Sequence, residues 1–341
     1  MADDRRRRAF IGSFTAAGGP GIVTADVDPG SGALTATHRV DTVPDPSYLA
    51  LAPDGGTLYA VSETTAGTVT AFRLAAGAPE PAGPPVPVAG EAPTHLGLYG
   101  RHVLTANYGS GSVSAVPVRP DGTLAAAPSG VLRHTGPGPE HRRSPRAHQV
   151  QPDPSGRWAV SVDLGTDSVR VCTLVDGTPA VHRETALRPG SGPRHLAFHP
   201  DGGHAYVVNE LAPTVTVCRW DAAEGALHPL DEVPVLPDAP AGDAYPSGVA
   251  VSADGRFVWT ATRGEDVLSV FAVEPGGGLE LLTTVPCGGH WPRALTAFDG
   301  VLYVANERSG DVTWFAVDPG TGTPRRAGSL AVAAASCVLL G

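Results

Sequence analysis

Histidine, arginine and acidic or amide side chains recur at two kinds of position along this 341-residue chain. Those that follow a proline are His95, Arg146, His148, Arg194, His195 and Arg293. Those that end a short apolar run are Glu63, Asn107, Asp163, Asn209, Glu210, Arg263, Asn306 and Glu307. Imidazole and carboxylate groups transfer protons in enzymes, and guanidinium groups bind anions. Brought together, these residue types could form an acid–base site for a small polar ligand.

The elements that carry these residues repeat along the chain. Each copy contains a proline, an apolar run, a turn of the Asp-Gly type, a second apolar run and a polar residue. The copies begin at Pro46, Pro93, Pro145, Pro193, Pro246 and Pro292, whose residue numbers differ by 47, 52, 48, 53 and 46. A period near fifty is typical of a four-stranded propeller blade. The sequence therefore predicts an all-β fold, a β-propeller with four-stranded blades.

The two ends of the chain complement each other and predict a seventh blade. Residues 10–14 and 21–28 resemble a second and a third strand, and residues 335–340 resemble a first strand. A blade closed by strands from both termini would leave no open sheet edge. We therefore predict one seven-bladed domain over residues 1–341. Residues 1–8 are interpreted as a leader outside the propeller, with a twin-arginine export signal as the alternative for the arginines at 5–8.

Antiparallel pairing places the start of each first strand beside the end of the second. Because first strands line the channel of a propeller, both kinds of position open onto one mouth of that channel. The two longest repeats also place their extra residues there, at 125–144 and 234–245, and long loops on one face often bind ligands. The first loop carries His141, Arg142 and Arg143, which could touch an anion or form a solvated basic segment.

Composition restricts the partners and the compartment. The net charge of −10 disfavours nucleic-acid binding, which needs a basic face. The four cysteines are far apart without a C-x-x-C pair, so we interpret them as packing residues in a reducing compartment. No apolar stretch is long enough to cross a membrane. We expect a cytoplasmic protein without a cofactor or metal, with no nucleic-acid or membrane partner, as a monomer or weak homo-oligomer.

Several segments together resemble the seven-bladed propeller lactonase family, which includes cycloisomerase-type 6-phosphogluconolactonases and carboxy-muconate cyclases. They are SPRAHQV at 144–150, VDLGTD at 162–167, PRHLAFHP at 193–200, YVVNEL at 206–211, TRGED at 262–266, PR at 292–293 and VAN at 304–306. The resemblance implies a metal-independent enzyme that acts on a lactone ring. The chain departs from the family pattern at Arg146 and Glu265, where the family usually has His, and at Glu307, where it usually has Gln.

Lactone hydrolysis needs an attacking water, a base for its proton and positive groups for the developing oxyanion. We predict His148 as the base and Glu210 as the group that orients the water or protonates the leaving oxygen. Arg194, Arg263 and Arg293 are predicted to bind the substrate's anionic group and to offset the oxyanion. Further substrate-binding residues are predicted at His195, Asn107, Arg146 and Asp163.

The same arginines indicate the charge of the substrate. Several guanidinium groups at one mouth of an acidic protein would repel one another, and an anionic lactone such as 6-phosphogluconolactone would relieve that repulsion. Alternatives are a carboxy-muconate-type cycloisomerase, a calcium-dependent lactonase with ligands from Glu63, Asn107 and Asp163, and a non-catalytic propeller that binds a small molecule or a protein.

Overall fold

A computed structural model describes residues 7–75, 77–136 and 144–341, which form seven antiparallel sheets. The first strand of each sheet contacts the first strand of the next, and the contacts close into a ring. The fold is therefore a seven-bladed β-propeller with four-stranded blades, as the repeat predicts. Residues 1–6 and the basic triplet at 141–143 lie outside the described residues. The export signal and the anion contact of the triplet therefore stay predictions.

Each blade runs from an inner strand on the channel to an outer strand at the rim, and blades are numbered here from the N-terminus. The strands of blade 1 are Ala335–Leu340, Arg8–Ser13, Ile22–Val27 and Leu34–Val40. Those of blade 2 are Leu49–Leu51, Thr57–Ser62, Thr68–Arg73 and an outer strand in two pieces, Glu80–Pro81 and Val86–Pro87. Those of blade 3 are Pro93–Tyr99, His102–Asn107, Ser112–Pro117 and Gly130–Arg133.

The other four blades follow the same order without interruption. Blade 4 has Ala147–Pro152, Ala159–Asp163, Ser168–Val175 and Thr178–Ala186. Blade 5 has Pro193–Phe198, His204–Asn209, Thr214–Asp221 and Ala226–Pro234. Blade 6 has Tyr245–Val251, Phe257–Arg263, Val267–Val273 and Leu279–Pro286. Blade 7 has Pro292–Phe298, Val301–Asn306, Asp311–Val317 and Pro324–Ala331.

The apolar side chains pack between neighbouring blades. Trp158 of blade 4 and Trp220 of blade 5 belong to one such cluster, and Trp314 of blade 7 packs with Ile11 and Val338 of blade 1 in another. The second strands thus have both faces covered and read as apolar runs, whereas the outer strands at the rim are largely exposed. This arrangement places the polar side chains at strand ends, where they reach the channel mouth.

Strands from both termini build blade 1, as predicted. The C-terminal strand pairs with the N-terminal one in antiparallel register, with Ile11 opposite Val338. The second strand of blade 1 begins at Arg8, two residues before the predicted run at 10–14, and Arg8 exchanges two backbone hydrogen bonds with Gly341. The boundary of the predicted leader at residue 8 is therefore wrong. Arg7 also contacts the propeller through an ion pair with Asp299 of blade 7.

Removing residues 335–341 tests how much this closure contributes to stability. The truncated chain would lose the inner strand of blade 1 and expose side chains that this strand buries, such as Ile11. We expect its melting temperature to fall by roughly 10 °C or more, because several kcal/mol of packing are lost. Thermal unfolding followed by circular dichroism measures the change. An equally cooperative transition at the temperature of the full chain would contradict the closure.

Candidate active site

A β-bulge recurs in six of the seven inner strands beside the mouth, the channel opening where inner strands begin and second strands end. In six blades the pairing of the inner with the second strand shifts by one residue near this end, which leaves one inner-strand residue without a partner. These bulge residues are Ser336, Thr94, His148, Arg194, Ser247 and Arg293. Bulges re-aim side chains and are frequent beside active sites.

The bulge residues divide into two chemical groups. In blades 4, 5 and 7 they are His148, Arg194 and Arg293, three of the residues that the sequence assigns to the site. In blades 1, 3 and 6 they are hydroxyl residues, and those of blades 3 and 6 bond the backbone of the next blade. Thr94 donates to the His148 carbonyl at 3.1 Å, and Ser247 donates to the Pro292 carbonyl at 2.5 Å. The hydroxyls thus fasten neighbouring inner strands together, while the ionisable bulge residues remain at the mouth.

Three histidine rings meet at the base of the mouth. The centroid of the His195 ring lies 5.1 Å from that of His148 and 5.5 Å from that of His95. Tyr48 packs against His95 at 3.9 Å and covers the side of the cluster toward blade 2. Tyr48 and His195 also line a channel cavity of about 470 Å³. The histidines are therefore enclosed, and the two that were predicted as site residues, His148 and His195, are in contact.

Three arginines and three glutamates surround these rings as ion pairs. The Glu210 carboxylate lies 3.0 Å from Nε of Arg194 and 2.7 Å from Nη2 of Arg263. Arg293 lies 3.5 Å from Glu63 and 3.3 Å from Glu307. The structure therefore brings the predicted residues His148, Glu210, Arg194, Arg263 and Arg293 together.

The ion pairs bear on the predicted charge of the substrate. From the sequence, the arginines are expected to form an uncompensated positive cluster that needs an anionic ligand. In the structure, Glu63, Glu210 and Glu307 already balance Arg194, Arg263 and Arg293. Mutual repulsion of these arginines is thus relieved within the protein. An anionic substrate group would therefore have to bind cations that lack a carboxylate partner.

Burial and the arginines together control the protonation of the histidines. Burial, followed by the charge of Arg194, holds the pKa of His148 well below its usual value. The same two causes hold the pKa of His195 well below its usual value and lower the pKa of His95 to about 3. The three imidazoles are therefore neutral at pH 7. A neutral imidazole can accept a proton without first losing one.

Burial also acts on Arg194 and Glu63. Burial and the neighbouring Arg263 lower the pKa of Arg194 to about 9 despite its contact with Glu210. Burial raises the pKa of Glu63, and the charge of Arg293 only partly opposes this effect. One carboxyl oxygen of Glu63, Oε2, is buried without a hydrogen-bond partner among the described residues. Glu63 is therefore the mouth carboxyl best suited to carry a proton.

Arg146 reaches the site indirectly. Its guanidinium lies 5.2 Å from the ring centroid of Tyr108 and donates to the Gly109 carbonyl at 3.1 Å. Tyr108 in turn contacts the His148 ring at 5.6 Å. The inner strand of blade 4 begins at Ala147, which pairs with Asp163 as Pro193 pairs with Asn209 in blade 5. Arg146 therefore precedes the strand, two residues out of the register that Pro145 indicated.

Two predicted substrate-binding residues belong to the supporting framework. The Asn107 amide donates to the Ser112 and Ser114 hydroxyls at 3.1 and 2.8 Å, and Asn209 makes the same pair of contacts in blade 5. These asparagines tie the second strand to the third. Because its amide group already has hydroxyl partners, Asn107 is not placed to bind a substrate.

Asp163 is fully buried and fixes both ends of the long loop between blades 3 and 4. One carboxylate oxygen accepts from the Arg146 backbone at 2.9 Å, and the other lies 2.6 Å from Nδ1 of His134 and 3.4 Å from Arg170. Burial opposes ionisation, but the His134 and backbone hydrogen bonds and the Arg170 charge outweigh it and lower the pKa of Asp163. Asp163 therefore has a structural role, and its oxygens are not free for the predicted contact with substrate.

The calcium alternative loses two of its three proposed ligands to these contacts. Among the described residues, no group of three or more His, Cys, Asp or Glu side chains is arranged to hold a metal ion.

The four cysteines are buried and unpaired, and burial raises the pKa of Cys172, Cys218, Cys287 and Cys337 to about 12. Over the described residues, no helix has the length and hydropathy to cross a bilayer.

Aromatic residues at the mouth were missed by the sequence analysis. Tyr48 occupies the same repeat position as His95 and His195, two residues after the proline, so alignment of the repeats could have found it. Phe14 lies under the Arg293 guanidinium at 4.7 Å, and Trp291 lies beside Arg263 at 5.5 Å. These contacts link residues from different blades, and no local pattern in the sequence indicates them.

An acid–base and guanidinium cluster at one mouth of a seven-bladed propeller defines a class of small-molecule enzymes. The family model for the seven-bladed β-propeller lactonases matches residues 8–340. The chain therefore belongs to the lactonase family of seven-bladed β-propellers, which confirms the predicted family and the prediction of a lactonase.

Relatives within this family carry two related activities. A 6-phosphogluconolactonase of Bacillus subtilis is 32% identical over 321 residues, which are 92% of each chain. The structure of the periplasmic gluconolactonase of Pseudomonas aeruginosa matches with a TM-score of 0.90, 31% identity and coverage of 98% of both chains. A candidate 6-phosphogluconolactonase of Bacteroides uniformis matches with a TM-score of 0.91 and 26% identity over 98% of this chain and 99% of its own. The cellular compartment stays a prediction.

Asp163→Asn tests the framework role. Loss of the buried charge leaves His134 and Arg170 without their partner, and we expect the free energy of unfolding to fall by about 3 kcal/mol. Because the pKa of Asp163 is lowered, the lost contribution is the part present above about pH 4, where an unfolded aspartate ionises, and it disappears in acid. Denaturant unfolding at pH 7 and pH 3 measures both effects.

The matched control is Asp176→Asn, an exposed aspartate at a left-handed turn position that asparagine also tolerates. It should change the free energy of unfolding by less than about 0.5 kcal/mol. A stable Asp163→Asn protein with much weaker substrate binding would instead support the predicted contact with substrate.

Proposed function

We propose that the chain hydrolyses a sugar-derived lactone with an anionic group, such as 6-phosphogluconolactone, by general acid–base catalysis at the mouth. The observation that carries the proposal is the position of the His148 imidazole, which is buried against the His195 ring in a cluster of three arginines and three glutamates. The family supports a lactone as the reacting group. The relatives named for 6-phosphogluconolactone and gluconolactone support an aldonic acid lactone.

In the proposed reaction, His148 takes a proton from a water molecule whose oxygen forms a bond to the lactone carbonyl carbon. Negative charge then develops on the carbonyl oxygen, and nearby guanidinium groups of Arg194, Arg263 and Arg293 stabilise it. Glu210 bridges two of these arginines, so it fixes their positions and offers a carboxylate oxygen that can orient the water. Preformed ion pairs suit this task, because they need little reorganisation during the reaction.

Collapse of the tetrahedral intermediate breaks the bond between the carbonyl carbon and the ring oxygen. The ring oxygen needs a proton to leave as a hydroxyl group. We assign this proton to Glu63, because burial raises its pKa and one of its oxygens lacks a partner. His148 then releases its proton to solvent and the Glu63 carboxylate takes one up from solvent, so both groups return to their starting states. The product is the open-chain hydroxy acid.

Variants of the three acid–base residues test the mechanism. His148→Ala, Glu210→Gln and Glu63→Gln should each lower kcat by about 10²–10⁴-fold, because each removes a proton-transfer or water-orienting group. Hydrolysis of gluconolactone and 6-phosphogluconolactone is followed by acid release, with a chelator present and absent. We expect the chelator to have no effect on the parent.

The control variants carry the same substitutions on exposed outer strands. His228→Ala of blade 5 and Glu280→Gln of blade 6 should turn over at the parental rate. Circular dichroism checks that every variant is folded. Near-parental turnover in a folded His148→Ala, Glu210→Gln or Glu63→Gln protein would remove that residue from the mechanism.

The pH dependence of kcat/KM tests the state of His148. A base with an ordinary histidine pKa would lose activity as the pH falls through about 6.5. Since the pKa of His148 is held well below that value, its neutral form persists, and kcat/KM should show no acidic limb from His148 between pH 8 and about pH 5.5. An acidic limb near pH 6.5 that His148→Ala abolishes would contradict the enclosed, neutral imidazole.

A further inference from the structure

The rim of the mouth between blades 6 and 7 carries an arginine without a carboxylate partner. Arg308 is exposed and follows the second strand of blade 7, directly after Glu307. Among the described residues, no carboxylate lies within ion-pair distance of its guanidinium and no hydrogen bond from its side chain is formed. Arg194, Arg263 and Arg293 all have such partners. Arg308 is therefore a cation that an outside anion can reach and neutralise.

The indole of Trp291 fixes the position of this guanidinium. The central carbon of the Arg308 guanidinium lies 3.3 Å from the Trp291 ring centroid, which is direct stacking. A stacked guanidinium keeps its N–H groups in its own plane, so stacking orients the group without using its donors. The Arg308 donors therefore remain available at the edge of the ring.

Trp291 is unusual for the backbone position that it occupies. Its φ of 65° lies in the left-handed region, as do those of Asp45, Ala92 and Gly192 at the matching positions before other inner strands. The repeated backbone can thus be built with small residues, and a large aromatic side chain is a strained choice. A hydrogen bond from the Trp291 amide to Asp266 at 2.8 Å holds this conformation. The indole is therefore rigidly placed at the rim.

The same indole connects the rim with the reaction centre. Arg263 lies 5.5 Å from the Trp291 ring centroid and forms the 2.7 Å ion pair with Glu210. His290 stands next to Trp291 with its Nδ1 bound to Asp266, and its Nε2 has no partner among the described residues. Both oxygens of the Asp266 carboxylate are already occupied, one by His290 and the other by the Trp291 amide.

We propose that Arg308, stacked on Trp291 and assisted by His290, binds the phosphate of a phosphorylated sugar lactone at the rim of the mouth. This inference rests on the proposed function, since it assigns the reacting carbonyl to the His148 cluster. The carbonyl carbon and the phosphate of 6-phosphogluconolactone are at opposite ends of the molecule. The buried acid–base cluster and the exposed rim cation are separate groups linked through Arg263 and Trp291, so each end of such a molecule has its own partner. The subsite would distinguish phosphorylated from unphosphorylated lactones.

Binding of the stable open-chain acids tests the subsite without requiring turnover. Isothermal titration calorimetry with 6-phosphogluconate and gluconate gives the contribution of the phosphate. The parent should bind 6-phosphogluconate at least about tenfold more tightly than gluconate, the scale of one charge-assisted hydrogen bond. Arg308→Gln should reduce that ratio to below about threefold. Trp291→Gly should reduce it as well, because glycine keeps the backbone and removes the platform, whereas Trp291→Phe should retain most of it.

Two comparison variants make the result specific. Arg325→Gln removes an exposed arginine from the outer strand of the same blade, away from the mouth, and should leave the ratio unchanged. Arg146→Gln removes the other mouth arginine that lacks a carboxylate partner among the described residues. An equal affinity of the parent for both acids, or loss of the ratio in Arg146→Gln with retention in Arg308→Gln, would overturn the proposal.

Failure of this subsite and failure of the proposed function give different results. If the parent hydrolyses both lactones equally well and Arg308→Gln changes nothing, lactone hydrolysis stands and the phosphate subsite falls. If the parent hydrolyses neither lactone but Arg308→Gln still abolishes the preference for 6-phosphogluconate, the subsite stands and hydrolysis falls. The kinetic ratio of kcat/KM for the two lactones should follow the binding ratio in every variant.

Discussion

The mouth of this propeller depends on one departure from regular strand pairing, the bulge near the start of the inner strands. A regular strand would point each successive side chain alternately to the two faces of the blade, where it would pack against a neighbouring blade. The bulge frees a single residue from this alternation. In blades 4, 5 and 7 that residue is His148, Arg194 or Arg293, so three separate blades contribute to one site. The relative positions of these side chains therefore depend on how the blades are arranged around the channel.

Burial and charge pairing then determine what the assembled residues can do. An arginine as buried as Arg194 would be costly without a partner, and Glu210 supplies one at the mouth. The same cations help to keep the adjacent imidazoles neutral. A site that is nearly balanced in charge can bind a neutral lactone ring and still respond strongly to a developing oxyanion, because its dipoles and charges are already oriented. A preference for an anionic over a neutral substrate would then have to come from cations outside these ion pairs.

The framework around the site uses polar residues that look functional in the sequence. Asn107 and Asn209 bond hydroxyls of the third strand, and Asp163 anchors a loop through His134 and the Arg146 backbone. Such groups lie at the ends of second strands, as Glu63 and Glu210 do. Position in the repeat therefore separates mouth residues from core residues, but it does not separate a catalytic carboxylate from a structural one. Only the partners of each side chain make that distinction.

The sequence by itself determined the number of blades, the closure of blade 1 and the face that carries the ionisable residues. These follow from local periodicity, and a repeat of four short strands carries its signal in every copy. The tertiary structure decided which charges meet, because Glu63 and Arg293 are separated by most of the chain and meet only when the ring closes. It also decided that Asp163 is structural and that Trp291 supports Arg308. Pairing between blades leaves no periodic trace, so the repeat placed both arginines and glutamates at the mouth but did not show which of them form ion pairs.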